Sequence, residues 1–505
     1  MNIPLLFLLI LIPLGGALIV LLLPKGRAGA VKLTALLAAS FSFVLSAAVF
    51  WLYNPYLNGA NPASFWFEER LPWFPSWGIS WHLGLDGLNS PLILLSGILA
   101  LAAILASSHI RTDEKKYFVL ILLVLAGSFG LFLSLDLFFF LLFYELASVP
   151  MYFLIGIWGS NREDPLHPVR KEDSAMKLML YLQLGGGLIL LGILAINVLS
   201  GARTFDLAAL MQAGAALPLL QQKILFLLFF VGFGIEAGIF PFHTWLPDGH
   251  SAAPTAVSML LAGLLLKMGA YGIMRVGMGL LPQGAAWALK FLAVVAVVNI
   301  LYGALCSMAQ KDLKYLIAYS SISHMGFVLL GLACLNPTGI SGALFQMVSH
   351  GVITALLFCG AGLVYEKAHS RNLESLGGLA TRLPFLAALM TAGGLAALGL
   401  PGMSGFVAEF LVFVGAFESF PILAALSILS LLLAAIYILR AVQKIFFGPL
   451  KPEYEALSDL AGIEKWPLAL LLLSILLFGL HPSFIIDTAR ISVMQFLTIF
   501  GGSFH

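Results

Sequence analysis

Residues 230–251 read FVGFGIEAGIFPFHTWLPDGHS. The run is apolar enough to be a buried helix, yet it holds a glutamate, Glu236, a proline, Pro241, and a histidine, His243. A buried helix tolerates neither of the first two well. The carboxylate loses its water, and the proline removes a backbone donor. A stretch that keeps both reads as a helix interrupted for a purpose.

The rest of the chain says which solvent surrounds it. Of 505 residues, 61% are hydrophobic and only 10% are charged. Soluble domains carry about 25% charged residues, so this much apolar surface requires lipid. The formal net charge of +2 offers no basic face for nucleic acid. Cys306, Cys334 and Cys359 stand alone in apolar segments, without the spacing of a disulfide framework, a metal site or an iron–sulfur cluster. The N-terminal run MNIPLLFLLILIPLGGALIVLLLPKGR has no basic residues before its apolar part and is expected to be a first spanning helix rather than a cleaved signal.

A spanning helix needs roughly 20 mostly apolar residues. Fourteen candidates fit: 3–23, 30–52, 85–107, 117–134, 137–158, 174–199, 222–246, 254–278, 286–309, 312–334, 340–365, 384–412, 421–447 and 464–485. The stretch around 54–84, rich in Trp, Pro and Phe, suits an interfacial aromatic belt. With the N-terminus outside, nineteen of the 26 Lys and Arg fall on the cytoplasmic side and six on the other, with Lys267 inside a span. That bias fixes the expected orientation.

LSLDLFFFLLFYELASVPMYFLIG (133–156) aligns with AQKDLKYLIAYSSISHMGFVLLG (309–331), placing Asp136 over Asp312. Spans four to eight and nine to thirteen then become two copies of one unit. An odd number of spans per copy makes the copies inverted, an arrangement used by transporters. The expected fold is an all-α polytopic membrane protein of fourteen transmembrane helices, with two inverted five-helix repeats and broken helices seven and twelve. Its parts are 1–108, 109–280 (first repeat), 281–450 (second repeat) and 451–505.

An ionisable group at membrane depth costs at least about 2.5–3.5 kcal/mol, so each one needs a reason. Six fall in six different spans: Glu145, Glu236, Lys267, His324, His350 and Glu409. Lys177 lies nearer the cytoplasmic end of the sixth span. Each alone has a modest explanation, since a histidine can bond a nearby carbonyl and a lysine can snorkel to the interface. Together they suit a polar row along which protons move, because burial opposes the charged form of such groups. The seventh and twelfth spans also carry breaks, at GIFPFHTWLP and LGLPGMSG, where loosened backbone is tolerated only inside protein or beside water.

Three stretches, FHTWLPDGHSAAPTAVSMLLAGLLLKMGAYG, MAQKDLKYLIAYSSISHMGF and LGLPGMSGFVAEF, resemble the proton-translocating antiporter-like subunits of complex I, and the resemblance extends over nearly the whole chain. It implies a non-redox subunit of an NADH-quinone oxidoreductase, a translocase without cofactor or metal of its own. Glu145 would be the coupling carboxylate, Lys267 the central relay lysine, His324 and His350 relay histidines, and Glu409 the exit-side carrier. Lys177 and His243 would play secondary parts. Glutamate at 409 points away from the L- and N-type subunits and from Mrp-type antiporter subunits, which carry lysine there. The implied partners are L-, N- and K-like membrane-arm subunits and, through them, the redox arm. The implied setting is the bilayer of a bacterial inner membrane, or a thylakoid or organelle membrane.

One position departs from the family pattern. Where this family has a lysine that pairs with the glutamate of the fifth span, the chain has Glu236. Two carboxylates near one another titrate as a unit, one tending to keep its proton. A shared-proton pair with Lys267 as counter-charge, or a differently working first half-channel, would follow. Two other readings compete: a subunit of a cation/proton antiporter, and the pumping arm of a membrane-bound hydrogenase. A mere membrane scaffold leaves the six ionisable residues without a reason.

Overall fold

The computed structural model describes residues 4–53, 65–161 and 169–501. Residues 54–64 of the aromatic stretch, and Arg162 of the charge count, lie outside the described residues. The chain runs through α1 (Leu5–Leu22), α2 (Ala28–Leu52), strands β1 (Trp66–Phe74) and β2 (Ile79–Leu85), α3 (Ser90–Ala106), α4 (Glu114–Leu133), α5 (Leu137–Trp158), α6 (Lys171–Ser200) and α7 (Leu219–Glu236). There follow α8 (Trp245–Ala252), the continuous helix α9 (Thr255–Met278), α10 (Pro282–Ala309), α11 (Leu313–Cys334) and α12 (Pro337–Ala368). The chain closes with α13 (Pro384–Ala397), α14 (Ser404–Ser419), α15 (Pro421–Phe446), α16 (Lys465–Leu480) and α17 (Ser483–Thr498).

Among the described residues, twelve helices are long and apolar enough to cross a membrane, and α3 and α13 are shorter apolar helices. Outer helices expose large apolar side chains, such as Leu22, Leu180, Val198, Ile422 and Leu432, as a lipid-facing surface must. The opposite holds for α9, α11 and α12, which are enclosed almost completely by their neighbours. These three carry Lys267, His324 and His350.

The repeat is legible in the hydrogen bonds. Asp136 caps α5 by accepting from the amides of Phe138 (2.9 Å) and Phe139 (3.3 Å). Asp312 caps α11 by accepting from Lys314 (2.8 Å) and Tyr315 (3.1 Å). The segment before each cap pairs with a distant one in the same way. The Leu137 amide donates to the Phe205 carbonyl and that of Leu207 to Leu135; in the second copy, Leu313 donates to Arg371 and Leu373 to Lys311.

The sequence reading did not foresee the two-stranded antiparallel sheet β1–β2, which adds to the helical architecture. It is pinned near its middle, from both strands. Glu69 accepts from the amides of Leu6 (2.9 Å) and Phe7 (3.0 Å), capping α1. Buried His82 holds Asp206 through Nδ1 (2.9 Å) and Glu68 through Nε2 (2.8 Å). Burial opposes the imidazolium, but the hydrogen bonds and charges of Asp206 and Glu68 outweigh it and raise the His82 value. The clamp is therefore at full strength below about pH 6.5 and weakens as pH rises through the raised value. Hydrogen-exchange protection of the β1–β2 amides, corrected for intrinsic rates, should fall over that rise. The same fall in His82→Gln would contradict the assignment.

Candidate functional site

Both helix breaks have the same backbone design. Gly238 (φ +70°) follows α7 and Gly399 (φ +80°) follows α13. The Gly238 amide donates to Ile235 (3.2 Å) and the Ile239 amide to Gly234 (2.9 Å). In the second break Gly399 donates to Ala396 (3.2 Å) and Leu400 to Leu395 (3.0 Å). This pair of bonds closes a helix on a left-handed glycine. The stops are thus made by Gly238 and Gly399; Pro241 and Pro401 come after them and forbid continuation. Asn299 of α10 satisfies the first break, accepting from the Phe240 amide at 2.6 Å. A Cβ at 399 would stand 2.9 Å from Glu409 Oε2, so any other residue there would push the carboxylate aside.

Lys267 lies at the centre, fully buried just after a π-helical stretch, Leu261–Leu265. Such a stretch frees a carbonyl from the ordinary ladder, and the Lys267 ammonium donates to the Ala262 carbonyl at 2.5 Å. It also reaches His350 Nδ1 of α12 at 2.6 Å. The rings of His350 and His324 stand 5.3 Å apart. His324 Nε2 donates to the Ala397 carbonyl (3.2 Å), at the end of α13, and lies 3.5 Å from Glu409 Oε1 on α14. Lys267, His350, His324 and Glu409 therefore form one continuous row from the middle of the bundle to the second break.

The outer partners set the histidine tautomers. The Ala397 carbonyl can only accept, so His324 Nε2 carries a proton; the Lys267 ammonium can only donate, so it meets His350 Nδ1 as an acceptor. The inner nitrogens, His350 Nε2 and His324 Nδ1, are buried and have no hydrogen-bond partner.

The first repeat is arranged differently. Glu145 is half-buried on α5 and accepts from Gln183 Nε2 of α6 at 2.6 Å and from Ser148 Oγ at 3.4 Å. Glu236 is the last residue of α7, wholly buried, and among the described residues neither carboxylate oxygen has a hydrogen-bond partner. Glu145 and the Tyr144 hydroxyl are the polar groups that act on it. Lys267 turns to His350 and makes no ion pair with Glu236 or Glu145, which sets aside its expected part as their counter-charge. His243 is buried against Phe240 and Tyr302 with both ring nitrogens unpartnered. Lys177 pairs with Asp248 Oδ2 at 2.7 Å.

Two residues escaped the sequence reading. Asp248 is one. His250 is the other: fully buried, stacked on Phe358 at 4.5 Å, with neither nitrogen hydrogen-bonded, and under the charges of Lys267 and Lys314. Both sit in the stretch 230–251.

Inverted repeats, paired breaks and a buried ionisable row define the class of antiporter-like membrane subunits. The chain belongs to the NADH:quinone oxidoreductase/Mrp antiporter, TM, family, which matches residues 134–437. It is 39% identical to NAD(P)H-quinone oxidoreductase chain 4 1 of Synechococcus sp. (strain JA-3-3Ab), over 98% of this chain and 93% of that one. A chain in the structure of respiratory complex I from Thermus thermophilus with bound NADH matches with a TM-score of 0.88 and 31% identity, over 98% of this chain and all of that one. A chain of the Mrp complex from Dietzia sp. DQ12-45-1b shares the fold, with a TM-score of 0.85, 22% identity and 98% of each chain covered.

Proposed function

We propose that this protein is the chain 4 (M-type) membrane-arm subunit of a complex I-type NAD(P)H- or ferredoxin-quinone oxidoreductase, translocating protons while other subunits carry out the redox chemistry. The observation that carries this reading is the buried row Lys267–His350–His324–Glu409, its first three members on the most enclosed helices, with Lys267 bonded to His350, the two imidazole rings 5.3 Å apart and His324 3.5 Å from Glu409. Charge arriving at one end alters protonation at the other, because pairs of such groups interact strongly when shielded from water. Glu145 serves as the coupling carboxylate. With Gln183 it lies on the outer surface of the single chain, so a neighbouring membrane-arm subunit covers this polar pair, which lipid would leave unpaid for. The chain is a multi-pass protein of a bacterial energy-converting membrane. An antiporter subunit is the second reading; it is disfavoured by Glu409, where lysine is the antiporter residue.

The test is proton uptake per electron by the assembled complex in proteoliposomes, with Glu145→Ala. The ratio should drop about tenfold or more, with subunit content unchanged; a ratio equal to wild type would contradict a coupling role.

Glu236 functions as a proton-sharing partner of Glu145 in place of the family lysine. Glu236→Gln should lower the ratio about threefold to tenfold and move its pH profile. An unchanged ratio and profile would rule the shared proton out. Glu236→Lys should keep or improve coupling, since it rebuilds the pairing of the family pattern.

A further inference from the structure

The two breaks align residue for residue. Setting Gly238 on Gly399 places Ile239 on Leu400 and Phe242 on Met403, and in both copies the amide of the third donates to the carbonyl of the second (Phe242 to Ile239 at 2.8 Å, Met403 to Leu400 at 3.1 Å). This register carries Glu236 onto Ala397, so the two glutamates of the broken helices are not counterparts. The counterpart of Glu409 is Asp248, each standing the same number of residues beyond its break glycine and in the helix that follows the break.

Asp248 is held as a functional carboxylate would be. Its Oδ2 accepts from the Lys177 ammonium of α6 at 2.7 Å, and its Oδ1 from the Tyr315 hydroxyl of α11 at 2.7 Å. Beside it the Tyr181 and Thr244 hydroxyls meet at 3.0 Å. Asp248 is partly accessible, its side chain 23% exposed, whereas that of Glu409 is only 6% exposed. Because the repeats are inverted, α8 runs toward the opposite face from α14, the face that bears most of the basic loops. Two residues along α8 lies His250, fully buried.

We propose that Asp248 is the proton-loading group of the first repeat, the uptake-side counterpart of Glu409. A proton from the cytoplasmic side binds a carboxylate oxygen, giving the neutral acid and leaving the Lys177 ammonium without its ion-pair partner. When the proton moves inward, the carboxylate returns and the ion pair re-forms. The Tyr315 hydroxyl orients the carboxylate through both states. This inference rests on the proton-translocating reading of the chain and adds a residue to it.

The experiment is the proton-to-electron ratio of the assembled complex in proteoliposomes for Asp248→Asn, Asp248→Glu and Lys267→Ala. Asp248→Asn should lower the ratio about tenfold with subunit content and quinone reduction retained, and Asp248→Glu, which keeps a group that binds and releases a proton, should restore at least about half of it. A wild-type ratio in Asp248→Asn with a collapsed one in Lys267→Ala would overturn the loading role and leave the translocation reading standing. Wild-type ratios in both would overturn that reading as well. Should Asp248→Asn fail to assemble, Tyr315→Phe removes a single hydrogen bond and should lower the ratio about threefold; an unchanged ratio there would overturn the proposal.

Discussion

Lys267→Ala should cut proton pumping by about tenfold or more while the complex still assembles. Among the described residues, the ammonium is the hydrogen-bond partner of His350 Nδ1, and it ties α9 to α12 at the centre of the row. Removing it leaves that nitrogen and the freed Ala262 carbonyl without a donor, at roughly 1–3 kcal/mol each. Part of this is offset, since the variant no longer buries an amine away from water. The helices themselves rest on apolar packing that the substitution does not touch. Lys267→Met, which keeps most of the side-chain volume, separates the two effects. It should assemble as well as wild type and pump as poorly as Lys267→Ala. Pumping at the wild-type level in Lys267→Met would show that the lysine only fills space.

Glu409→Gln should have an effect of similar size, about tenfold or more, for a different reason. The amide keeps the shape of the carboxylate and can still face His324 Nε2, now 3.5 Å from Oε1. It cannot take a proton and give it up. Glu409→Asp retains the chemistry but withdraws the oxygen from His324 by about one methylene, so a partial loss is expected. Gly399 belongs to the same unit. Its positive φ and the 2.9 Å approach of Glu409 Oε2 to the site of a Cβ mean that Gly399→Ala strains the break and displaces the carboxylate together. Quench of a pH-sensitive dye during quinone reduction reads all three. Full quench in Glu409→Gln would remove the carboxylate from the path.

Much of this was legible in the sequence because lipid makes polarity conspicuous. The spans follow from apolar length, and Lys267, His324, His350 and Glu409 stand out because a charge at that depth must have a purpose. The sequence spacing also placed both breaks, but it assigned them to proline. Backbone geometry assigns them to Gly238 and Gly399, whose left-handed conformation no composition rule reveals. The antiparallel pair β1–β2 was hidden for a related reason. Prolines at 72 and 75 and the charges Glu68, Glu69 and Arg70 spoil the alternation by which a half-buried strand is read. Asp248 was missed because it is partly exposed and lies in a motif read for its proline and histidine; only the register of the two breaks sets it opposite Glu409. That Lys267 faces His350 rather than Glu236 depends on which side of α9 the π-helical stretch presents, which pattern alone does not fix.

The central claim is that Lys267, His350, His324 and Glu409 act in series on one proton path. The most direct measurement is the proton-to-electron ratio of the assembled complex carrying Lys267→Ala and Glu409→Gln together, beside each single variant. Residues on one serial path are not additive, so the double variant should pump no worse than the poorer single one. A double variant whose loss equals the product of the two single losses would place Lys267 and Glu409 on separate paths and contradict the account.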